Sequence, residues 1–332
     1  MSFNPPLLFI AAPLFSFAVT LALIWWLLRD NAPKILDHPN PRSLHTAPVP
    51  RTGGVGLMLG VLASWTFLPV ALPLPVWAGV GLLVSVSFAD DVFGLPVGWR
   101  LLLHGVVAAW FCVPLLGAHG WATVAAATVA IIWMTNLYNF MDGSDGLAGG
   151  MTLSGFGFYG LTAWLAGNEA FAVLNFCVAA AAAAFLLFNF HPARIFMGDA
   201  GAIPLGFLAA TLGVLGWQQG LWPLWFPLLV FSPFIVDASV TLAKRALAGK
   251  KVWQAHREHY YQRRLQSGWG HRNTALLGYT LMLAAGASAV WATRQQAGVQ
   301  LGVGVLWCLI YLVLLWMFDR REIAHKNDSP SI

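Results

Sequence analysis

Asn136-Leu-Tyr-Asn-Phe-Met-Asp-Gly-Ser-Asp-Gly-Leu-Ala-Gly149 closes a charge-free apolar run that begins near residue 120, so two carboxylates stand where hydrocarbon would give way to water. Asp142 and Asp145 are three residues apart; on a helical or turn-like backbone they share one side, about 5–6 Å apart at Cβ. That reach suits one hard cation held between them. Gly143, Gly146 and Gly149 remove side chains beside the acids and let backbone N–H groups approach a phosphate or a metal's waters. Asn, Asp and Gly are also the ordinary residues of a helix cap. Acids elsewhere in the chain favour the first reading.

Composition fixes the environment. Of 332 residues, 58% are hydrophobic and 9% charged, with 17 Trp, which excludes an ordinary water-soluble globule. The chain reads as all-α: a polytopic integral membrane helical bundle forming a single catalytic domain. At about 20 apolar residues per crossing, eleven spans are expected, at 5–28, 53–72, 75–89, 101–117, 120–138, 150–167, 169–189, 203–217, 220–242, 274–293 and 298–318. Short cytoplasmic loops collect Lys and Arg, and alternating these spans puts seventeen of the eighteen basic residues on one side, with Arg294 alone on the other. The N-terminus is therefore expected outside and the C-terminus in the cytoplasm. The first span is long and has no basic leading segment, which reads as a retained anchor. The net charge of +5 lies on the basic loops and calls for no nucleic-acid partner. Cys112, Cys177 and Cys308 fall inside expected spans with no pairing pattern.

The loops expected on the basic side, 30–52, 90–100, 139–149, 190–202 and 243–273, carry the polar residues. Loop 30–52 is broken by prolines and delivers Arg42, His45 and Arg51 to Gly53, Gly54 and Gly56, where the backbone could approach a phosphate. Asp90 and Asp91 are adjacent at a span end, and near hydrocarbon both stay ionised only with a cation or donors beside them. Asp199 lies between Gly198 and Gly201, with Arg194 as a cation and Phe190 or Phe196 as a flat surface for a base. Asp237, inside the ninth span, either braces a cation or satisfies a helix broken at Pro233. His256 and His259 are at i and i+3 of an expected helix, near Arg257, Arg263 and Arg264. That setting fits a pyrophosphate better than zinc, for which Glu258 is the one further local ligand. His104 and His119, isolated among apolar residues, read as packing histidines.

Acidic clusters flanked by glycine on one membrane face, with a basic loop beside them, suit Mg²⁺-assisted chemistry on a phosphate ester, because Mg²⁺ needs only one or two carboxylates plus phosphate oxygen and keeps several waters. A stacking Phe points to a nucleobase in the leaving half, and a site at the bilayer edge points to a lipid acceptor. Acids within a membrane also mark ion- or proton-coupled transporters. That rival predicts acids near span midpoints and broken helices in an inverted repeat, whereas here all but Asp237 gather at span ends.

The motifs Asp90-Asp91-x-x-Gly94, Asn136-x-x-Asn139-x-x-Asp142-Gly-x-Asp145-Gly146-Leu147, Asn189-x-His191-Pro192-Ala193-x-x-Phe196-Met197-Gly198-Asp199 and His256-Arg-Glu-His259-Tyr-Tyr-Gln-Arg resemble those of the polyprenyl-phosphate N-acetylhexosamine-1-phosphate transferases of glycosyltransferase family 4. The last motif looks closest to the branch that initiates O-antigen and other cell-envelope polysaccharides. The resemblance implies transfer of a sugar-1-phosphate from a UDP-N-acetyl-sugar to undecaprenyl (polyprenyl) phosphate with release of UMP, at the cytoplasmic face of the inner membrane, with Mg²⁺ or Mn²⁺ as cofactor. The partners implied are the donor, the acceptor and membrane lipid, and a homodimer is left open. Carried over by motif position, Asp199 with Asp91 would bind the metal, and Asp90 with Asp91 would deprotonate or orient the lipid phosphate. Asp142 and Asp145 would complete the catalytic set with Asn139, binding nucleotide or metal. Asn189, Phe196 and Arg194 would meet the uracil nucleotide, His256, Arg257 and His259 the diphosphate and sugar, and Arg51 and His45 the lipid phosphate. The donor sugar, GlcNAc or a 6-deoxy relative such as FucNAc, is left to loop 243–273.

The topology has a direct check. Reporter fusions after Arg29 and after Arg294 are expected to report opposite compartments, cytoplasmic and external; the same compartment for both refutes the orientation.

Overall fold

The computed structural model describes residues 5–32, 35–37, 39, 48–70, 72–254 and 256–327. In chain order it contains α1 (Pro5–Leu27), β1 (Leu36–Asp37), β2 (Val49–Pro50), α2 (Gly53–Trp65), α3 (Leu74–Phe93), α4 (Val97–Leu116), α5 (Trp121–Phe140), α6 (Leu147–Leu165), α7 (Glu169–Asn189), α8 (Asp199–Gln218), α9 (Trp225–Val230), α10 (Ser232–Leu247), α11 (Tyr260–Gln266), α12 (Gly270–Ala292) and α13 (Ala297–Asn327). The all-α membrane architecture holds. Among the described residues, eight helices are long and apolar enough to cross a bilayer. The other three expected spans take different forms. α2 has 13 residues, α6 is a 19-residue helix rich in Gly and Thr, and the ninth span is split at Phe231 into α9 and α10, with Pro233 in the first turn of α10.

α8 is buried along nearly its whole length, packed against α2, α3, α5 and α6. It is the axis on which the site is assembled, while α13 lies at the periphery with Leu301, Leu312 and Trp316 exposed. The first turns of α2 and α8 meet through glycines: a Cβ on Gly201 would stand 2.6 Å from Gly54 Cα. The segment preceding α8 is laced to the same place. Phe196 N–H donates to Pro50 O at 2.7 Å, Gly53 N–H to Phe196 O at 3.0 Å and Gly54 N–H to Met197 O at 2.9 Å. Gly198 has φ +70, a left-handed conformation that side chains resist, and it turns the chain so that Asp199 opens α8 beside Arg51 and Asp91.

These bonds correct the expectation that Gly53 and Gly54 present N–H groups to a phosphate, since both are spent on the 196–197 backbone. Gly56 packs on Ile24. The hairpin pairs Leu36 with Pro50. His45 and Arg42, expected near the lipid phosphate, lie outside the described residues.

Gly201→Val is expected to destabilise the protein by about 1–3 kcal/mol, the usual cost of overpacking, and to lower turnover by moving Asp199. Gly157→Ala, where the added carbon meets nothing within 4 Å, should leave the melting temperature in detergent unchanged. Equal melting temperatures for Gly201→Val and wild type would show that the α2–α8 crossing is not close-packed.

Candidate active site

Four carboxylates from three places in the chain converge at the end of the bundle where α3 and α5 stop and α8 starts. Asp90 and Asp91 occupy the last turn of α3, where the helix dipole disfavours anions, so each is met by a cation. Arg100, in the first turn of α4, reaches Asp90 Oδ2 at 2.6 Å with Nη1 and Asp199 Oδ2 at 2.8 Å with Nη2. Arg51 lies 3.5 Å from Asp91 Oδ1 and donates to the Asp91 backbone carbonyl. The backbone adds donors: Leu95 N–H to Asp90 Oδ1 at 2.6 Å and Ala200 N–H to Asp91 Oδ2 at 3.4 Å. The Asp199 and Asp90 carboxyls are within hydrogen-bonding range of each other. Asp142, in the turn after α5, completes the group. Burial, then the charges of Asp199 and Asp91, push its carboxyl well above the ordinary value, against a hydrogen bond from Gly198.

Asp145 belongs to a different knot. Its Oδ2 accepts from His191 Nδ1 at 2.7 Å and from Ala193 N–H at 3.2 Å, and His271 Nδ1 stands 3.5 Å from Oδ1. The two imidazoles stack at 5.6 Å, and His271 also meets Ser144 Oγ at 3.2 Å. The expectation that Asp142 and Asp145 face one cation therefore gives way to a division of labour: Asp142 joins the cluster, and Asp145 ties 144–145 to the 191–193 turn. Asn189 is corrected too. It is buried, accepting from Gly146 N–H at 3.0 Å and donating to Ile195 O at 2.9 Å, so it braces two loops rather than meeting a base. The glycines expected to expose N–H groups are packed instead: Gly143 under Tyr261, Gly149 against Leu186 and Phe185. Asn139 is half-buried in the last turn of α5 and Phe196 half-buried before Gly198, while Arg194 lies exposed over the Phe188 ring at 4.9 Å.

The basic loop approaches the cluster from α10. His256 and His259 are not on a helix, because α11 starts at Tyr260; their rings still lie 4.9 Å apart, with His259 stacked on Phe140 at 6.1 Å. Asp237 is neither an ion site nor the brace of a broken helix. It caps α11, accepting from Tyr260 N–H at 2.9 Å and Tyr261 N–H at 3.0 Å, with His259 Nδ1 at 3.4 Å. Tyr261 then donates to Phe140 O at 3.0 Å, fixing the loop against the turn that carries Asp142. Burial, then the neighbouring His259 and Arg245 charges, hold His256 down at about 4. It is neutral at physiological pH, and its Nδ1 accepts from Glu258 N–H at 3.2 Å. His256 thus offers hydrogen bonds, and Arg257, half-buried beside it, offers charge.

Residues 74–216, from the start of α3 almost to the end of α8, match the family model described as glycosyl transferase family 4. The matched segment spans all four carboxylates of the cluster, Arg100, Asp145 and His191. Resemblance extends further along the chain among curated proteins. The probable undecaprenyl-phosphate N-acetylglucosaminyl 1-phosphate transferase of Bacillus subtilis is 27% identical over 313 residues, covering 88% of this chain and 87% of the relative. The decaprenyl-phosphate N-acetylglucosaminephosphotransferase of Mycolicibacterium smegmatis is 27% identical, covering 83% and 80%. The phospho-N-acetylmuramoyl-pentapeptide-transferase of Halalkalibacterium halodurans is 26% identical, covering 81% and 92%. The protein is an enzyme of this phosphotransferase type, built as a membrane bundle.

The donor chemistry of the cluster fits a divalent cation: the oxygens are carboxylate, they are packed against one another, and burial with the neighbouring acids raises the Asp142 carboxyl in a way that added positive charge would oppose. As it stands, no three His, Cys, Asp or Glu side chains among the described residues are arranged as a metal cage; Arg100 stands between Asp90 and Asp199 instead. Sequence reasoning passed over Arg100, which lies too far along the chain from Asp90 to be noticed, and over His271, which is distant from Asp145 except in the fold.

Arg100→Gln is expected to lower kcat/KM at least tenfold, because two carboxylates lose their shared cation, with partial rescue by Arg100→Lys, which restores the charge without the fork. Unchanged kinetics for Arg100→Gln would remove it from the site.

Proposed function

We propose that this protein transfers a sugar-1-phosphate from a UDP-N-acetylhexosamine to polyprenyl phosphate, releasing UMP, at the cytoplasmic face of the inner membrane, as the first committed step of a cell-envelope polysaccharide such as O-antigen. The observation that carries the reading is the convergence of Asp90, Asp91, Asp142 and Asp199 with Arg51 and Arg100 at one end of an otherwise apolar bundle. A lipid phosphate can arrive there from the bilayer and a nucleotide from water.

In the step proposed, an oxygen of the acceptor phosphate bonds to the β-phosphorus of the donor. The bond from that phosphorus to the bridging oxygen breaks, and UMP leaves with the electron pair. Such a transfer needs alignment and charge neutralisation more than covalent chemistry, which favours direct attack. Arg51 and Arg100 lie where they can hold acceptor phosphate oxygens, with Asp90 and Asp91 setting their orientation. Asp90 would take any proton remaining on the acceptor. Asp199, Asp91 and Asp142 would hold Mg²⁺, which when bound supplies positive charge to the diphosphate. His256, Arg257 and His259 reach over from the basic loop to the diphosphate and sugar, on a segment fixed by Asp237 and Tyr261. Asn139, Phe196 and Arg194 are left for the nucleoside. Asp145 is a positioning residue for the turn that holds Asp142.

A transporter is the weaker reading on this structure. Asp237, the acid deepest in the chain's spans, is committed to capping α11, and the other acids stand at helix ends. The relatives' names favour an N-acetylglucosamine donor, with a 6-deoxy N-acetyl sugar as the alternative that loop 248–259 could select.

Purified protein incubated with polyprenyl phosphate, Mg²⁺ and a panel of UDP-sugars is expected to release UMP with one N-acetylhexosamine donor. Chelation should abolish release and Mg²⁺ restore it, and Asp199→Asn should fold and insert but lose at least about a hundredfold in kcat, the scale of losing one electrostatic contact to a transferring group. No UMP from any UDP-sugar, or wild-type turnover in Asp199→Asn, contradicts the proposal.

A further inference from the structure

Tyr260 and Tyr261 are neighbours in sequence and have different partners. Tyr261 turns to Phe140 and the site. Tyr260 turns to α10 and α13, where its hydroxyl lies 2.5 Å from Lys244 Nζ and 3.2 Å from the Asp319 carboxylate. Behind it opens a recess of about 370 Å³, lined by Lys244, Lys250, Arg257, Glu258, Tyr260 and Arg263 with flanking polar residues. It is rich in cations. Glu258 is shared between Lys250 and the buried Arg245, and Asp319 between Lys244 and Arg263. Among the described residues, Arg257 makes a fifth cation beside these two carboxylates.

The surroundings are those of a membrane surface. Leu247, 89% exposed, and Trp253, 75% exposed, sit in the chain that borders the recess. α13, which supplies Asp319, presents Leu312, Val313 and Trp316 outward, with Arg320 over the Trp316 ring and Arg264 over Phe318. Aromatic rings and long cationic side chains of this kind settle at the headgroup level of a bilayer. Basic pockets between helices at the inner leaflet take anionic headgroups, and the arginine fork matches phosphate oxygens.

We propose that this recess binds the phosphodiester headgroup of an anionic phospholipid from the surrounding leaflet, and that the bound headgroup holds segment 248–266 in register for the sugar nucleotide. The first half stands on the recess alone; the second rests on the reading given under Proposed function. A free phosphate would satisfy the cations equally but would make no use of the exposed apolar rim, and this favours the lipid. Tyr260 lines the recess and Tyr261 does not; Arg257 borders both the recess and the donor side, so competition by the UDP-sugar is the arm of the test that separates the two.

The test places the full-length protein in phosphatidylcholine nanodiscs with increasing phosphatidylglycerol. Native mass spectrometry reads retained lipid, and UMP release reads KM for the UDP-sugar. Wild type is expected to retain phosphatidylglycerol over phosphatidylcholine, with KM falling as the anionic lipid rises. In Lys244→Gln/Arg263→Gln retention should drop about fivefold for each charge removed, and KM should no longer respond to lipid. Asp319→Asn, which removes an acid from the same recess, should retain the anionic lipid at least as tightly as wild type, an outcome that mere structural damage would not give. Equal retention of the two lipids by wild type overturns the proposal. So does displacement of phosphatidylglycerol by inorganic phosphate, which would assign the recess to a soluble anion, or by the UDP-sugar, which would make it part of the donor site. Selective retention without any UMP release would leave the lipid site standing and sink the transfer reaction alone.

Discussion

Repulsion among Asp90, Asp91, Asp142 and Asp199 at the edge of a low-dielectric bundle is the constraint on which the rest of the structure depends. Carboxylates brought that close, half out of water, raise one another's proton affinity unless positive charge and N–H donors are built around them. The fold supplies both. Arg100 spans Asp90 and Asp199, Arg51 meets Asp91, and the N–H groups of Leu95, Ala200 and Gly198 point at the carboxyls. On the function proposed, a divalent ion and phosphates would relieve this arrangement, and the cluster would serve as their receptor.

Much of the chain serves as scaffolding for that group. The Gly54–Gly201 crossing lets α2 and α8 start side by side, and Gly198 makes the turn that delivers Asp199. Asn189, Asp145, His191 and His271 lash the turn after α5 to the turn after α7. Asp237 fixes the basic loop by its α11 cap, while Glu258 ties that loop to Arg245 of α10 and Asp319 ties α13 to Lys244. Polar side chains that look catalytic in isolation are, in these cases, the fasteners of a site whose working groups are fewer. Buried polar groups in an apolar bundle have to find partners, and here the partners are one another.

The sequence made the membrane bundle, its all-helical class and the acidic clusters legible, because apolar run length and an acid beside glycine are local signals. It also pointed to loops 90–100, 139–149 and 190–202, from which the gathered carboxylates come. What it could not convey was which acids meet. Three-residue spacing suggested Asp142 with Asp145, yet the fold joins Asp142 to Asp91 and Asp199 and gives Asp145 to two histidines, one of them His271, 126 residues away. Glycines read as phosphate cradles turned out to be sites of close packing, since a missing Cβ serves either purpose. Arg100 was hidden for the opposite reason: a lone arginine at a helix start carries no signal until Asp199 is brought to it. Span counting worked where helices are long and uniform and blurred at α2, α6 and the α9–α10 break, where length, glycine content and proline depart from that pattern.

The most direct measurement of the central claim is Mn²⁺ binding followed by electron paramagnetic resonance on the purified protein without substrates. Wild type should remove Mn²⁺ from the free-ion signal, release it to excess Mg²⁺, and lose this binding in Asp142→Asn, a residue that the cluster alone would make a participant. If Mn²⁺ stays free in the presence of wild type, or binds Asp142→Asn equally well, the gathered carboxylates are not a cation receptor.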